Sequence, residues 1–257
     1  MTLTIAVAGK GGTGKTTLSA LLVRALREQG IRPILAVDAD PNSTLAEALG
    51  VAEGRPLADI REHGSSPEGS PPSGMGRVRA VEDEIQRAIA EADGFDLLAM
   101  GRPEGPRCYC AVNNLLRKSL DDLGRNYAAV VLDNEAGMEH LSRRTTNDVD
   151  WLVAVTNPTR PSFRAAQRIL ALSRELPVRI GRRALLANRV ASEGLPTEIA
   201  EEIAALEAER LPDVPQDDLV ERAGAAGQGV LALPDGCPAL VAVRSLVEMF
   251  CAAPTHS

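Results

Sequence analysis

Residues 9–17 read Gly-Lys-Gly-Gly-Thr-Gly-Lys-Thr-Thr, between the apolar run Leu3 to Ala8 and the amphipathic stretch Thr17 to Arg27. Gly9, four further residues, then Gly14, Lys15 and Thr16 form the frame of a phosphate-binding loop, and its flanks supply the strand and helix such a loop needs. Gly11, Gly12 and Gly14 let the backbone around Thr13 turn its N–H groups inward at a helix N-terminus. Lys15 adds a mobile charge for the terminal phosphates, Thr16 offers a hydroxyl to Mg²⁺, and Thr17 continues the cradle into the helix. A solvated glycine-rich turn is the plain alternative, and it leaves the agreement of loop, strand and helix unexplained. The motif commits the first 27 residues to strand, loop and helix, and it points to an α/β fold.

A second lysine, Lys10, stands inside the loop without being required by the cradle. The chain holds only three lysines, Lys10, Lys15 and Lys118, against 25 arginines, so two of the three ammonium groups fall within six residues. A compact, strongly hydrated charge on a flexible stem does there what a planar guanidinium cannot. Rarity of lysine with accidental placement is the competing explanation. Elsewhere the balance is acidic, with a formal charge of −7, and no stretch interleaves basic residues with aromatics, which argues against a nucleic-acid partner.

Short apolar runs alternate with amphipathic ones. Ile34 to Val37, Phe95 to Met100, Ala128 to Leu132, Leu152 to Val155 and Ala184 to Ala187 read as buried strands. Helices are expected over Val81 to Ala92, Asn114 to Leu123, Met138 to Thr146, Pro161 to Glu175, Pro196 to Glu209 and Pro238 to Phe250. The alternation predicts a mostly parallel sheet with helices on both faces, in one domain spanning residues 1–257. The stretch 63–76, His-Gly-Ser-Ser-Pro-Glu-Gly-Ser-Pro-Pro-Ser-Gly-Met-Gly, is expected to be a flexible surface insertion. Trp151 reads as core. With no export signal and no membrane-length apolar run, the expectation is a cytoplasmic protein without a membrane partner, its cysteines free or bound to metal.

Two strands end in carboxylates. Asp38-Ala-Asp40-Pro-Asn follows the second strand, and Asp133-Asn-Glu-Ala-Gly137 follows a later one. Strand-end aspartates suit phosphoryl transfer: Asp38 and Asp133 are assigned with Thr16 to the Mg²⁺ shell, and Asp40 to the attacking water. Lys10, Lys15 and Asp40 form the catalytic set. A helix cap or turn role is open to each aspartate. Asn188, in Leu186-Ala-Asn188-Arg189, both donates and accepts, which suits the adenine edge and favours ATP over GTP; a turn role after the strand is the alternative.

Cys108 and Cys110 stand one residue apart in a loop flanked by glycine and proline. Two thiolates do not complete a metal site, but an isologous two-fold dimer brings four to one axis. Four thiolates take Zn²⁺, Ni²⁺, Cu⁺ or an iron–sulfur cluster; a reduced surface pair is the plain alternative. Cys237 and Cys251 flank the last helix and read as buried, small apolar residues.

These segments carry a resemblance. Residues 9–17 resemble the signature-lysine phosphate loop of the MinD/Mrp/nitrogenase-iron-protein group of dimeric ATPases. Residues 101–117 (Gly-Arg-Pro-Glu-Gly-Pro-Arg-Cys-Tyr-Cys-Ala-Val-Asn-Asn-Leu-Leu-Arg) and 133–146 (Asp-Asn-Glu-Ala-Gly-Met-Glu-His-Leu-Ser-Arg-Arg-Thr-Thr) are similar to the CooC-type nickel-insertion ATPases. Those proteins mature carbon monoxide dehydrogenase and related acetyl-CoA synthase enzymes. The resemblance implies a homodimer when ATP is bound, with Lys10 reaching the partner's ATP. It also implies Ni²⁺ or Zn²⁺ held by Cys108 and Cys110 of both copies, and a nickel-dependent client enzyme. Arg107 and Ala111 depart from that pattern, which more often has a smaller residue and an aromatic there. An iron–sulfur electron-transfer ATPase and a MinD/ParA-like positioning ATPase are the two rival functions; the positioning role wants a basic amphipathic tail or face, which the C-terminal residues 250–257 do not supply.

Overall fold

A computed structural model describes residues 2–40, 42–52, 54–57, 75–101, 122–134 and 148–252. Strand β1 (Leu3–Gly9) runs parallel to its two neighbours, β5 (Ala129–Asp133) and β6 (Asp148–Thr156). Beyond β5 lie β2 (Ile34–Asp38) and β4 (Phe95–Ala99), also parallel, and beyond β6 lies β7 (Arg179–Val190). With edge strands β3 (Ile89–Ala92) and β8 (Glu209–Arg210) the order is β3-β4-β2-β5-β1-β6-β7-β8, and β9 (Val214–Pro215) pairs with β7. The chain leaves β1 toward one half of the sheet and later builds the other from β6. The C-terminal end of β1 therefore opens into the crevice where such folds bind ligands.

Both faces of the sheet are buried, which is why its strands are apolar without alternation. On one face Ile5 and Val7 of β1 join Leu18, Leu22 and Leu26 of α1 (Lys15–Glu28) and Leu240, Val243 and Val247 of α7 (Pro238–Ala252). On the other, Ala6 and Ala8 sit in a cluster with Phe163, Ala166 and Ile169 of α4 (Arg160–Leu172). Trp151 is core, 1% exposed, with its ring centroid 4.8 Å from that of Phe250 and the Arg182 guanidinium 5.0 Å away.

Several boundaries differ from the sequence expectation. The helix expected over Val81 to Ala92 is α3 (Met75–Ala88), which begins inside the stretch read as a 63–76 insertion; the rest of that stretch lies outside the described residues. Its last four expected residues form β3, turned back antiparallel onto β4 by Asp93-Gly94, with Gly94 at φ 84. An Asp-Gly pair is a strong hairpin signal, masked here by the helix-favouring alanines and glutamate before it. The helix expected over Pro196 to Glu209 is α5 (Thr197–Ala204), because Glu209 is drawn into β8 beside the end of β7. The short helices α2 (Leu45–Leu49) and α6 (Asp218–Ala225) carried too little periodicity to announce themselves. The helix expected over Met138 to Thr146 lies outside the described residues, as does residues 114–121 of the one expected at Asn114 to Leu123. No helix among the described residues is long and apolar enough to cross a membrane.

Arg24 ties α1 to the segment before α7. Its guanidinium, 5% exposed, donates to the carbonyls of Val230 and Leu233 at 2.7 Å each and pairs with Glu28 and Asp235. That segment enters through Gly229, where an added Cβ lies 2.0 Å from the Gly50 nitrogen and 2.2 Å from the Leu49 carbonyl carbon. Both obstacles are backbone, so neither yields cheaply. Gly229→Ala is expected to cost about 3 kcal/mol or more of stability, read as a loss of Tm. Gly236→Ala, whose Cβ meets nothing within 4 Å, is expected to leave Tm unchanged, and equal behaviour of the two would disprove the close approach.

Candidate functional site

The loop between β1 and α1 is shaped from three sides. Gly9 is pressed against β6: an added Cβ lies 2.6 Å from the Val155 carbonyl oxygen and 3.0 Å from Thr13 Oγ1. Gly14, at φ 83, occupies the cap of α1 without a side chain to take the first-turn amides. Those amides and the dipole of α1 are left facing the loop, where an anion is favoured. The loop's carbonyls are engaged elsewhere. Lys10 O accepts from Thr13 Oγ1 at 2.9 Å and from Lys15 Nζ at 3.5 Å, Thr13 O from Asn188 Nδ2 at 2.9 Å, and Gly12 O from Arg189 Nη1 at 3.4 Å. Lys15 is 7% exposed, whereas Lys10, Gly11 and Gly12 stand in solvent.

Beneath the loop the sheet brings two carboxyl groups together, because Asp38 of β2 and Asp133 of β5 are register partners. They are in different states. Both oxygens of Asp38 accept backbone amides, Oδ1 from Asp40 at 3.0 Å and Oδ2 from Leu45 at 2.8 Å, so Asp38 folds the turn after β2 and caps α2. Asp133 takes the Ser19 hydroxyl on Oδ1 at 3.2 Å, while its Oδ2 is buried without a hydrogen-bond partner. Burial pushes the Asp133 carboxyl up to about 7, with the neighbouring Asp38 adding to the rise and the Thr16 hydroxyl, Lys15 and Ser19 opposing it. An orphaned, desolvated carboxylate oxygen beside a hydroxyl and an ammonium suits a hard cation.

The fold thus gathers Lys10, Gly11, Gly12, Thr13, Gly14, Lys15, Thr16, Thr17, Asp38, Asp133 and Asn188 around the end of β1. Asp40 lies at the rim, half-buried, where its Oδ1 accepts from the backbone and side-chain nitrogens of Asn42 at 2.9 Å each. Cys108, Cys110 and Gly137 lie outside the described residues, among which no group of three His, Cys, Asp or Glu is placed to hold a metal. Cys237 is buried as expected and donates to Asp217 Oδ2 at 3.0 Å. Cys251 is not: it is exposed, within the last turn of α7, because the helix runs two residues past Phe250 and turns that position outward.

Three residues at the site escaped the sequence reading. Ser19 lies one turn after Thr16, a spacing that places it on the same face of α1. Asn134 is fully buried, donating to Val7 O at 3.1 Å and Leu132 O at 3.3 Å, with its Oδ1 left unpartnered. Arg189 gave no signal, since its reach to Gly12 follows from a backbone φ of 57 that the sequence does not encode visibly.

A family model described as the CobQ/CobB/MinD/ParA nucleotide binding domain matches residues 4–230. The chain belongs to this nucleotide-binding ATPase family. Within it, an uncharacterized ATP-binding protein of Methanocaldococcus jannaschii is 44% identical over 191 residues, covering 74% of this chain and 75% of that protein. The carbon monoxide dehydrogenase accessory protein CooC of Rhodospirillum rubrum is 33% identical over 246 residues, 91% of each chain. Among solved structures, the septum site-determining protein MinD of Pyrococcus horikoshii, complexed with Mg-ADP, superposes with a TM-score of 0.68 at 20% identity over 98% of both chains, and so shares the fold.

The strained state of Asp133 has a pH signature. With a native value of about 7 against an ordinary 3.8, the folded chain keeps a proton that the unfolded chain releases, so stability falls as pH rises between those values. In nucleotide-free, chelator-treated protein, Asp133→Asn is therefore expected to stabilise by roughly 2–4 kcal/mol at pH 8 and progressively less toward pH 5. Tm against pH for both proteins checks this; a gain independent of pH would refute the buried, unpaired carboxylate.

Proposed function

We propose that this chain is an ATP-hydrolysing maturation factor that delivers nickel to an enzyme of the carbon monoxide dehydrogenase or acetyl-CoA synthase type. The observation that carries the reading is the 33% identity to CooC across 91% of both chains, in a sequence that also has the Cys108-x-Cys110 pair. ATP is the nucleotide, and the setting is the reducing cytoplasm, where thiols stay available to metal.

In this reading the loop amides and Lys15 hold the phosphate chain, and Asn188 reads the adenine edge. The orphaned Oδ2 of Asp133 fits a magnesium ion, which Thr16 and Asp133 would hold with Asp38 alongside; when bound, Mg²⁺ neutralises charge on the terminal phosphates. Asp40 positions the attacking water from the rim of the site. Lys10, exposed at the tip of the loop, is free to reach the phosphates of a second copy, so that ATP draws two copies together and hydrolysis weakens their contact. The metal is cargo. Ni²⁺, or Zn²⁺ in its place, would be held by the thiolates of Cys108 and Cys110 from two copies, four soft ligands in all. The chain is a single ATPase domain.

Two experiments test this. Metal analysis of anaerobically prepared, ATP-bound protein should find about one Ni²⁺ or Zn²⁺ per dimer, lost in Cys108→Ser/Cys110→Ser. Retention of metal by the double variant would remove the proposed site. Lys10→Gln should stay monomeric with ATP and magnesium in light scattering while keeping the parent Tm; a dimer as tight as the parent's would refute the cross-subunit lysine.

A further inference from the structure

The phosphate loop is braced by two side chains from the C-terminal end of β7. Buried Asn188 directs one amide hydrogen to the Thr13 carbonyl at 2.9 Å, and Arg189 reaches the Gly12 carbonyl at 3.4 Å. Arg189 has the left-handed φ of 57, costly for a residue with a Cβ, and β7 shifts register against β9 between Asn188 and Val190. The irregular backbone turns both side chains toward the loop. On the loop side, Gly14 admits this approach: a Cβ there lies 2.6 Å from Asn188 Nδ2 and 3.6 Å from Arg189 Nε. A trans peptide whose carbonyl is engaged on one side turns the next amide to the other; within the loop the Thr13 amide is itself taken by Lys10 O at 3.3 Å, and the uncapped first turn of α1 leaves its amides for an anion.

We propose that Asn188 and Arg189 are positioning residues that hold the phosphate loop open for a polyphosphate, so that the segment meeting the base also sets the affinity for the phosphates. This rests on the nucleotide site of the proposed function and deepens it. Asn188 keeps its carbonyl oxygen and one amide hydrogen for adenine while its other hydrogen remains on Thr13. Base and phosphate recognition are then coupled through a single carboxamide. A residue that only read the base would leave a base-free ligand indifferent to its loss.

The test uses the full chain with two probes, ATP and inorganic tripolyphosphate, each with magnesium, and hydrogen exchange of the loop amides in the nucleotide-free protein. Asn188→Ala is expected to weaken ATP and tripolyphosphate alike, by about tenfold, and to speed exchange of amides 10–16 while strands β1 and β6 exchange as before. Arg189→Ala, at an exposed side chain, should repeat the effect at about threefold. Tripolyphosphate affinity or loop exchange unchanged in both variants would overturn the proposal and leave Asn188 a base reader. Failure of the parent protein to bind ATP would instead strike the proposed function, and loop exchange would still decide the positioning role.

Discussion

The site depends on two carboxyl groups fixed side by side in a dry parallel sheet. Asp38 and Asp133 are held in register by β2 and β5, and at 1% exposure each they are cut off from water. The sheet resolves the conflict unequally. Asp38 is satisfied by two backbone amides, which makes it part of the fold, while Asp133 is left with one unpartnered oxygen and a raised affinity for a proton. A buried, under-satisfied group persists only where surrounding packing holds it, and such groups gather where chemistry is done. The double-sided burial of the strands supplies that packing.

The loop above shows the complementary arrangement. Its carbonyls are engaged by side chains from within the loop, from α1 and from β7, its Thr13 amide is taken by the Lys10 carbonyl, and the uncapped first turn of α1 leaves its amides toward the crevice. The paired carboxyl groups below and the α1 N-terminus with Lys15 above thus border the same crevice. Preorganisation of this kind spares the ligand the cost of ordering the loop. It also links distant parts of the chain: the loop is near the N-terminus, yet two of its supports come from residues 188 and 189.

Much of this was legible in residue order. The phosphate-loop frame fixed strand, turn and helix together, since glycine spacing and flanking periodicity obey local rules. The strands at Ile34, Phe95 and Ala129 were readable because burial on both faces leaves unbroken apolar runs. Asp38 and Asp133 stood out as acids closing such runs. Less legible were β3, where helix-favouring residues hid an Asp-Gly hairpin, and Ser19, an ordinary helix-interior serine until β5 is placed opposite it. The difference between the two aspartates was invisible, because it depends on which backbone amides arrive from the turn after β2.

By itself, the sequence determined the fold class, the anion-binding loop and the residue types around it, all consequences of neighbours within a few positions. Tertiary structure alone decided which carboxylate is spent on the fold and which retains an open oxygen. It also decided that the end of β7 supports a loop some 175 residues earlier, and that Cys251 faces solvent. Those outcomes depend on desolvation and on donor–acceptor pairing across strands, and both exist only once the sheet has closed.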